Sequence, residues 1–479
     1  MSLHLLAERP GTERQNERRL LLVSYVFPPD PTVGARRWSK LAHYVVARGW
    51  GLDVITRMPV EVSPAGQRAL DALPEGVRVY GVPATALPLA RAERAALRVY
   101  RRLRRAPSPL PAAVADRTPQ PAPAPPRRAE TIDRADVRWS FRSPRSLLRA
   151  FWVWREVTYL ERWSRRAAAA GRAVARPGVH RAVVTSGPPH WTHAAGMRLA
   201  ASLGVPFVMD MRDPWSLFER LMEQLASPLT HYYTRTRERR AIESAALVVA
   251  NTEQARRALS AKYPRAASRI IVVTNGIDDD PLPPSCHGSR FLIAYAGTVY
   301  VHSDMRTLFR AARRVVTDLS LTPEQFGIEL IGDFDTPSGL PASAIAREEN
   351  LSAYLTVLPF RPHAEAMERL AHAALLVTLP GFNAFTTIPA KVFECIRFDA
   401  WLLALADRGS AADTLLEGTP ADVVPTSDVD AIAAVLRRRV SAFLSGERPT
   451  RIAADERFSR ATQARILLDA VERVIAGTA

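Results

Sequence analysis

The segment that most constrains the fold is residues 373–406, in which two buried strands flank a loop and a helix. Apolar runs over 374–379 and 401–405 predict the strands, and Pro389 is typical of the first position of a helix. This order of elements is half of a doubly wound α/β unit. Such sheets bind ligands at the carboxyl ends of their strands, so the loop over 381–387 predicts a ligand site.

Two side chains beside that loop suit a ligand that carries both a phosphate and a sugar. Lys391 and Glu394 are three residues apart, so they share one face of a predicted helix whose N-terminal N–H groups favour an anion. Lys391 can neutralise a phosphate, and Glu394 can accept protons from two vicinal hydroxyl groups. A nucleotide-sugar has both features. An ordinary solvated ion pair explains the same spacing without a ligand, and the pattern leaves both interpretations open.

Length and composition predict a cytoplasmic protein with two large domains. The chain has 479 residues, more than one core accommodates, and its 47% hydrophobic and 24% charged residues are typical of globular proteins. The first twenty residues are charged and lack the apolar core of a signal peptide, and no apolar run reaches the length of a spanning helix. Cys286 and Cys395 lack the spacing of a metal or redox pair, so we expect both to be structural or incidental. We also expect no cofactor and no metal requirement.

The formal charge of +17 predicts an anionic partner. Much of the excess lies in residues 91–105 and 138–172, and the second stretch interleaves arginine with Phe, Trp and Tyr. Basic helices with such aromatics are typical of proteins that bind an anionic membrane surface, although aromatics at helical spacing also form cores. No nucleic-acid-binding motif accompanies the charge, so we do not expect nucleic acid as a partner.

The first predicted βαβ unit has a loop suited to phosphate. The apolar run over 20–25 is followed by a loop in which Gly34 is the only glycine, and then by Arg36 and Arg37. The loop lacks G-x-G-x-x-G, which argues against a dinucleotide site. Gly34 either lets the backbone approach a phosphate or is a plain turn glycine.

The second βαβ unit ends in a charged cluster, Asp210, Arg212 and Asp213. The cluster follows a predicted strand over 206–209, so it either serves a ligand or caps the segment that follows.

We divide the whole chain into a flexible lead-in (1–16), an acceptor-side Rossmann-like domain (17–280) with a Pro/Ala-rich disordered insertion (106–130), a donor-binding Rossmann-like domain (281–455), and a C-terminal helix returning to the first domain (456–479).

Six motifs occur in an order that resembles family-four glycosyltransferases of the GT-B fold, particularly bacterial members that build surface polysaccharides. They are SYVFPPDPTVGARRWSKL, SGPP, DMRDPW, VTNGID, YAGTVY and IPAKVFEC. The resemblance covers nearly the whole chain outside the lead-in and the insertion. It implies an α/β protein with two facing Rossmann-like doubly wound domains and a cleft between them. It also implies a nucleotide-sugar donor, a saccharide or lipid-linked acceptor, and retention at the anomeric carbon.

The resemblance also implies roles for individual residues. Glu394 matches the carboxylate that holds the donor ribose, Lys391 lies near the diphosphate, and Gly34 matches the loop glycine that faces the donor phosphate. Thr298 and Ser303 stand where the family usually has Arg and Lys, so two phosphate cations are missing. The further donor-binding candidates, some of which compensate for that loss, are Arg36, Arg37, Gly297, Thr298, His302 and Thr386, the last in place of the first Glu of the E-x7-E motif.

The predicted catalytic residues are Asp210, Arg212 and Asp213. Arg212 with Asp213 matches a His-Asp pair beside the transferred sugar. An arginine keeps its proton near neutral pH, so we expect Arg212 to hold charge while an aspartate orients the acceptor hydroxyl and the departing phosphate takes the proton. Two alternatives stay open at this point, a sugar-nucleotide epimerase and a catalytically silent scaffold at a membrane.

Overall fold

A computed structural model describes most of the chain, and its fold is α/β with two Rossmann-like domains, as predicted. The described residues are 3–84, 131–133, 144–218, 220–222, 227–278, 280–297, 299, 305–335, 340–381, 383–453 and 455–477. The predicted insertion at 106–130 and the candidates Thr298 and His302 lie outside these ranges. No helix within them is long and apolar enough to cross a bilayer.

The N-terminal domain is built on a large, mainly parallel sheet. The strands described in it are β1 (His4–Glu8), β2 (Arg19–Ser24), β3 (Gly51–Met58), β4 (Val77–Pro83), β5 (Thr131–Asp133), β6 (His180–Gly187), β7 (Phe207–Met211), β8 (Arg220–Met222), β9 (Leu247–Ala250) and β10 (Ile270–Val272). The large sheet has the order β1-β4-β3-β2-β6-β7-β9-β10, and β5 pairs with β8. Within it only β1 and β4 pair in the antiparallel sense.

The C-terminal domain has a second sheet, in which all described neighbours are parallel. Its strands are β11 (Phe291–Gly297), β12 (Phe326–Gly332), β13 (Leu355–Leu358), β14 (Leu375–Thr378), β15 (Trp401–Leu405) and β16 (Asp422–Val424). They lie in the order β13-β12-β11-β14-β15-β16. Residues 373–406 therefore form two adjacent strands, β14 and β15, with a helix between them.

Helices cover both faces of each sheet, which explains why the strands read as continuous apolar runs. In β2, Leu20 and Leu22 enter one core while Leu21 and Val23 enter another on the opposite face. The α-helices described are α1 (Glu13–Glu17), α2 (Arg36–Ala47), α3 (Pro64–Asp71), α4 (Pro144–Val174), α5 (Trp191–Leu203), α6 (Pro228–Ser244), α7 (Glu253–Lys262), α8 (Arg306–Asp318), α9 (Ala342–Glu348), α10 (His363–Leu370), α11 (Ala390–Cys395), α12 (Ala411–Leu416), α13 (Val429–Leu444) and α14 (Arg460–Ala476).

The first sixteen residues correct the expectation of a flexible lead-in. Strand β1 adds to the edge of the large sheet beside β4, and α1 follows with a reciprocal cap between Thr12 and Gln15. The strand is short and lies at an edge, with exposed residues at both ends. Because its stability comes from pairing with β4 rather than from its own apolar pattern, local sequence gives little sign of it.

The last helix, α14, packs against the N-terminal domain. Leu467 and Val471 are buried in the core beside β2 and β3. Glu472 accepts hydrogen bonds from Arg48 and from the indole N–H of Trp50, both at 2.9 Å. At its other end, Arg460 donates to Asp278 in the connection between the domains. The helix therefore ties the connection to the first sheet.

Candidate functional site

Both sheets reverse their strand order at one central pair, which locates the site. The reversal falls between β2 and β6 in the first sheet and between β11 and β14 in the second. Loops that follow such pairs diverge and leave a crevice at the carboxyl ends of the strands. A cleft of about 770 Å³ lies between the domains and is lined from one side by Gly34, Arg36 and Asp213 and from the other by Ile388 and Glu394.

Direct contacts hold the two domains around this cleft. The Thr252 hydroxyl donates to the Thr386 carbonyl at 2.7 Å, and the Gln254 amide donates to the Ser410 carbonyl at 3.1 Å. Lys40 pairs with Asp280 of the connection at 3.0 Å. Thr386, predicted to contact the donor, has a buried side chain and serves through its backbone as an interdomain contact.

Glu394 faces the N-terminal domain across the cleft. Its Oε1 lies 3.5 Å from Nη1 of Arg36, and the two side chains retain 31% and 51% exposure. Both ends of this pair are accessible to a ligand, and an ion pair this exposed contributes about 0–1 kcal/mol. Arg36 and Glu394 can therefore give up their mutual contact at little cost, and bind a ligand's phosphate and hydroxyl groups instead.

Lys391 lies one turn before Glu394 and points toward the end of β11. Its Nζ donates to the Tyr295 hydroxyl at 3.1 Å and stands 4.4 Å from the centre of that ring. A Cβ on Gly297 would fall 1.5 Å from Nζ, and Gly297 has a φ of 137°, so a glycine is required there. Burial lowers the pKa of Lys391 to about 8. The predicted donor residues Lys391 and Gly297 are thus in contact.

Helix α11 corrects one part of the predicted anion site. It has only six residues, and Pro389 precedes it as the cap instead of occupying its first turn. A macrodipole needs a longer run of aligned peptides, so a helix of this length contributes little at its N-terminus. Positive charge at this loop therefore comes from side chains, Lys391 and Arg36.

Asp210 and Arg37 also need correction, because the structure uses them as a buried scaffold. Arg37 donates from Nε and Nη2 to the two Asp210 oxygens, both at 3.0 Å, and Trp38 donates to the same carboxylate at 2.7 Å. The Arg37 side chain is 3% exposed and that of Asp210 is 0% exposed. Arg37 also donates to Val273 and Asn275. Arg37 borders the cleft, but its N–H groups are taken by these partners, and Asp210 has no exposed surface, so neither is available to a substrate.

Arg212 and Asp213 line the cleft but differ in availability. Arg212 donates from Nη1 to the Gly34 carbonyl at 2.6 Å and from Nη2 to the Pro188 carbonyl at 3.3 Å, so it clamps two loops together. Asp213 lies 3.9 Å from Arg212 Nε and keeps 47% exposure. Protein packed around its loop raises the pKa of Asp213 because it excludes water, while Arg212 acts in the opposite direction. Asp213 is therefore the accessible carboxylate of the predicted cluster.

A stack of rings behind Asp213 was missed by sequence reasoning. His190 stacks on Trp215 with ring centres 5.2 Å apart. Nδ1 of His190 lies 3.3 Å from Nε2 of His193. His193 in turn bonds to the Thr185 hydroxyl at 2.7 Å. Burial lowers the pKa of His193 to about 3 and that of His190 well below its ordinary value. Both rings are neutral at pH 7, and the stack positions the loop that carries Asp213.

Only the pair of histidines three apart in PHWTH hinted at this stack, because its third ring comes from a different loop. Within the described part of the chain, no group of three or more His, Cys, Asp or Glu side chains is arranged to hold a metal ion.

Two Rossmann-like domains with a cleft between the carboxyl ends of their strands are the GT-B fold. A family model described as Glycosyltransferase Family 4 matches residues 113–281, less than half of the chain. No curated protein matches.

Solved structures of similar fold cover almost the whole chain. Sucrose-phosphate synthase from Thermosynechococcus elongatus has 15% identity and a TM-score of 0.57, with 96% of this chain and 100% of that chain covered. Anabaena HepE in complex with UDP has 13% identity and a TM-score of 0.57, covering 95% and 100%. Trehalose 6-phosphate synthase from Burkholderia multivorans has 13% identity and a TM-score of 0.55, covering 96% and 100%. At these identities the likeness establishes the fold.

Proposed function

We propose that this protein is a retaining glycosyltransferase that moves a hexose-type sugar from a nucleotide-sugar to a saccharide or lipid-linked acceptor. The observation that carries the proposal is the cleft itself. There an accessible carboxylate, Glu394, and a cation, Arg36, face each other where the two Rossmann-like sheets reverse their strand order. The family model and the UDP complex of a neighbour of the same fold support a nucleotide-sugar as donor.

In this proposal Glu394 and Arg36 of the cleft and Lys391 beside it bind different parts of the donor. Glu394 accepts the ribose hydroxyls, while Lys391 and Arg36 neutralise the diphosphate in place of the two cations that the chain lacks. Positioned cations stabilise the charge that grows on the leaving diphosphate. Arg212 keeps the Gly34 loop close to the donor through its carbonyl contact.

Transfer requires one bond to break and one to form. The bond between the anomeric carbon and the diphosphate oxygen breaks, and the acceptor oxygen bonds to the same face of that carbon. The acceptor proton passes to the departing phosphate oxygen, and Asp213 orients the acceptor hydroxyl. No residue needs to act as a covalent nucleophile or as a strong base.

The N-terminal half of α4 supports an acceptor at an anionic membrane surface. Leu147, Phe151 and Trp154 lie at i, i+4 and i+7, so they share one face, and they keep 53%, 39% and 47% exposure. Trp163 of the same helix donates to the Val82 carbonyl at the end of β4. At 1.5 Å per residue, Phe151 projects about 18 Å beyond that point, on the side of the cleft.

The donor assignment is tested by isothermal titration with nucleoside diphosphates and nucleotide-sugars, followed by transfer assays with the ligand that binds. We expect one saturable site that Glu394→Ala weakens. A protein that binds none of them is not a nucleotide-sugar enzyme. That outcome would favour the second candidate, a silent scaffold on the GT-B fold, which the Thr298 and Ser303 replacements also favour.

Membrane docking is tested by co-sedimentation with vesicles. Binding should require anionic lipid, fall as salt rises, and drop in a Phe151→Ser/Trp154→Ser double variant. Leu444→Ser removes an apolar side chain of 49% exposure from the C-terminal domain and serves as the matched control. Equal binding to neutral vesicles, or unchanged binding of the double variant, would contradict docking through this helix face.

A further inference from the structure

A second pocket lies at the end of the first sheet opposite the cleft. It has a volume of about 610 Å³, and its lining includes Arg14, Arg18, Arg48 and Arg181, with Glu472 as its one acidic residue. These arginines come from different parts of the chain: α1 and the residue that caps it, the end of α2, and the start of β6. Four positive charges against one negative give the lining a net charge of +3.

Glu472, the one acidic residue of the lining, is already engaged by one of these arginines. Arg48 forms ion pairs with Asp469 and Glu472. Among the described residues, no carboxylate lies within ion-pair distance of Arg14, Arg18 or Arg181. Arg18 uses Nε and Nη2 on the Gly49 and Arg48 carbonyls and covers the Trp50 ring at 4.6 Å. Its charge is held in place without a direct ion pair, and Glu472 acts on it from beyond ion-pair distance.

Gly49 brings two of the guanidinium groups together. It has a φ of 81°, and the point where a Cβ would stand is 3.1 Å from Arg18 Nη2 and 3.2 Å from Arg14 Nε. The two nitrogens are therefore no more than 3.1 + 3.2 = 6.3 Å apart. Like charges this close repel: burial, Arg14 and Arg48 lower the pKa of Arg18, while Glu472 acts in the opposite direction. Charge-assisted hydrogen bonds of about 2.8 Å from both nitrogens can meet on one tetrahedral anion.

We propose that this pocket is a binding site for a phosphate-bearing small molecule, separate from the donor cleft. Arg14 and Arg18 hold the phosphate group and Arg181 approaches it from β6. The pocket is larger than one phosphate requires, and Trp50, Ile475 and Ala476 provide an apolar wall for the rest of the ligand. Because Ile475 and Ala476 belong to α14, the ligand would bridge that helix to α1.

The position of the pocket decides between a soluble anion and a lipid headgroup. The pocket lies at the amino ends of β2, β3 and β6, and the six residues of β2 separate it by about 20 Å from the cleft edge. Phe151 and Trp154, on the exposed face of α4, lie beyond the cleft edge and so still farther from the pocket. The choice of a soluble phosphate compound as the ligand rests on the docking proposed for α4, which places the bilayer contact of Phe151 and Trp154 toward the opposite end of the sheet from Arg14.

Isothermal titration with pyrophosphate, at constant ionic strength, tests the proposal. The experiment uses protein saturated with whichever nucleoside diphosphate occupies the cleft and, in parallel, Lys391→Met protein, so that the cleft does not supply the signal. We expect one site in both, weakened at least tenfold by Arg14→Ala/Arg181→Ala. Arg265→Ala, which removes an exposed arginine before β10, should leave it unchanged.

Three results would overturn the assignment. These are an absence of pyrophosphate binding in both proteins, equal affinity in the double variant, and equal weakening by Arg265→Ala, which would indicate general charge attraction. A vesicle arm separates the two sources of phosphate. Arg14→Ala/Arg181→Ala should bind anionic vesicles as the unsubstituted protein does, and a loss there would identify a lipid headgroup as the ligand instead.

Discussion

Two neighbouring arginines at the start of α2 face carboxylates in opposite surroundings. Arg37 and Asp210 are 3% and 0% exposed and form a bidentate pair, whereas Arg36 and Glu394 are 51% and 31% exposed and meet through a single contact at 3.5 Å. Both pairs join distant parts of the chain. The buried pair is shielded from water and held by fixed protein partners, whereas the exposed pair remains accessible to water and to ligands.

Two adjacent residues of one helical turn therefore have different roles, since Arg37 stabilises the fold and Arg36 is available to a ligand. A buried charge that loses its partner is left unpaired, because water cannot reach it. Removing either member of the Arg37 and Asp210 pair therefore destabilises the fold. The Arg36 and Glu394 pair is screened by water and contributes little to stability. Substitutions at the buried pair should therefore change unfolding, and those at the exposed pair should change ligand binding.

The largest expected effect is on folding. Asp210→Asn removes the charge that balances Arg37 while keeping the shape of the side chain, and we expect the free energy of unfolding to fall by about 3–5 kcal/mol. Urea denaturation followed by circular dichroism measures it, and Glu394→Ala, expected to cost less than about 1 kcal/mol, is the control. A cost below that level for Asp210→Asn would remove the distinction between the pairs.

Asp213 should affect turnover without affecting stability. In Asp213→Asn we expect kcat to fall about 100-fold, because the acceptor hydroxyl loses its orienting carboxylate, while the donor Kd changes less than about threefold. Steady-state kinetics with the identified donor and direct titration separate the two quantities. Near-normal turnover would leave the accessible carboxylate without a catalytic role.

Glu394 should affect donor binding. A charge-assisted hydrogen bond contributes roughly 1.5–3 kcal/mol, so Glu394→Ala should weaken the donor about 10- to 100-fold. Isothermal titration with the preferred nucleoside diphosphate measures the change. Glu394→Gln, which keeps hydrogen-bonding capacity without charge, should show an intermediate loss. Unchanged affinity in Glu394→Ala would contradict the assignment of this side chain to the ribose.

The fold was accessible from the sequence wherever a segment was buried on both faces. The apolar run predicted as a strand over 401–405 is β15, and the strand predicted over 206–209 is β7, which spans Phe207–Met211. Strand β1 escaped prediction because an edge strand is defined by its neighbour. The length of α4 was also missed, since its aromatics pack partly in the core and partly face solvent.

The site was accessible only in part, for a related reason. The spacing of Lys391 and Glu394 placed both near the same loop, and that held in three dimensions. Nothing local distinguishes Arg36 from Arg37, because their difference arises from Asp210 and Asn275, which are far away in the chain. The stack of His190, His193 and Trp215 likewise depends on which loops the topology brings together.

The smallest expected effect concerns pH and joins the two kinds of environment in one residue. Lys391 is half-buried, less than Arg37 and more than Arg36. It has no carboxylate within ion-pair distance among the described residues, and its pKa is about 8. Below that pH the free protein already carries the charge that a diphosphate needs. Above it, binding must take up a proton, so donor affinity should fall by up to about tenfold per pH unit.

Titrations from pH 7.5 to 9.5 measure this dependence, because the phosphate groups are almost completely ionised in that range. Proton uptake is read from binding heats in two buffers of different ionisation enthalpy. Cys395, four residues further along the chain, does not interfere in this range because burial raises its pKa to about 12. Lys391→Arg keeps its charge throughout and should abolish both the slope and the uptake. If Lys391→Arg retains the slope, another group titrates, and Lys391 does not face the diphosphate.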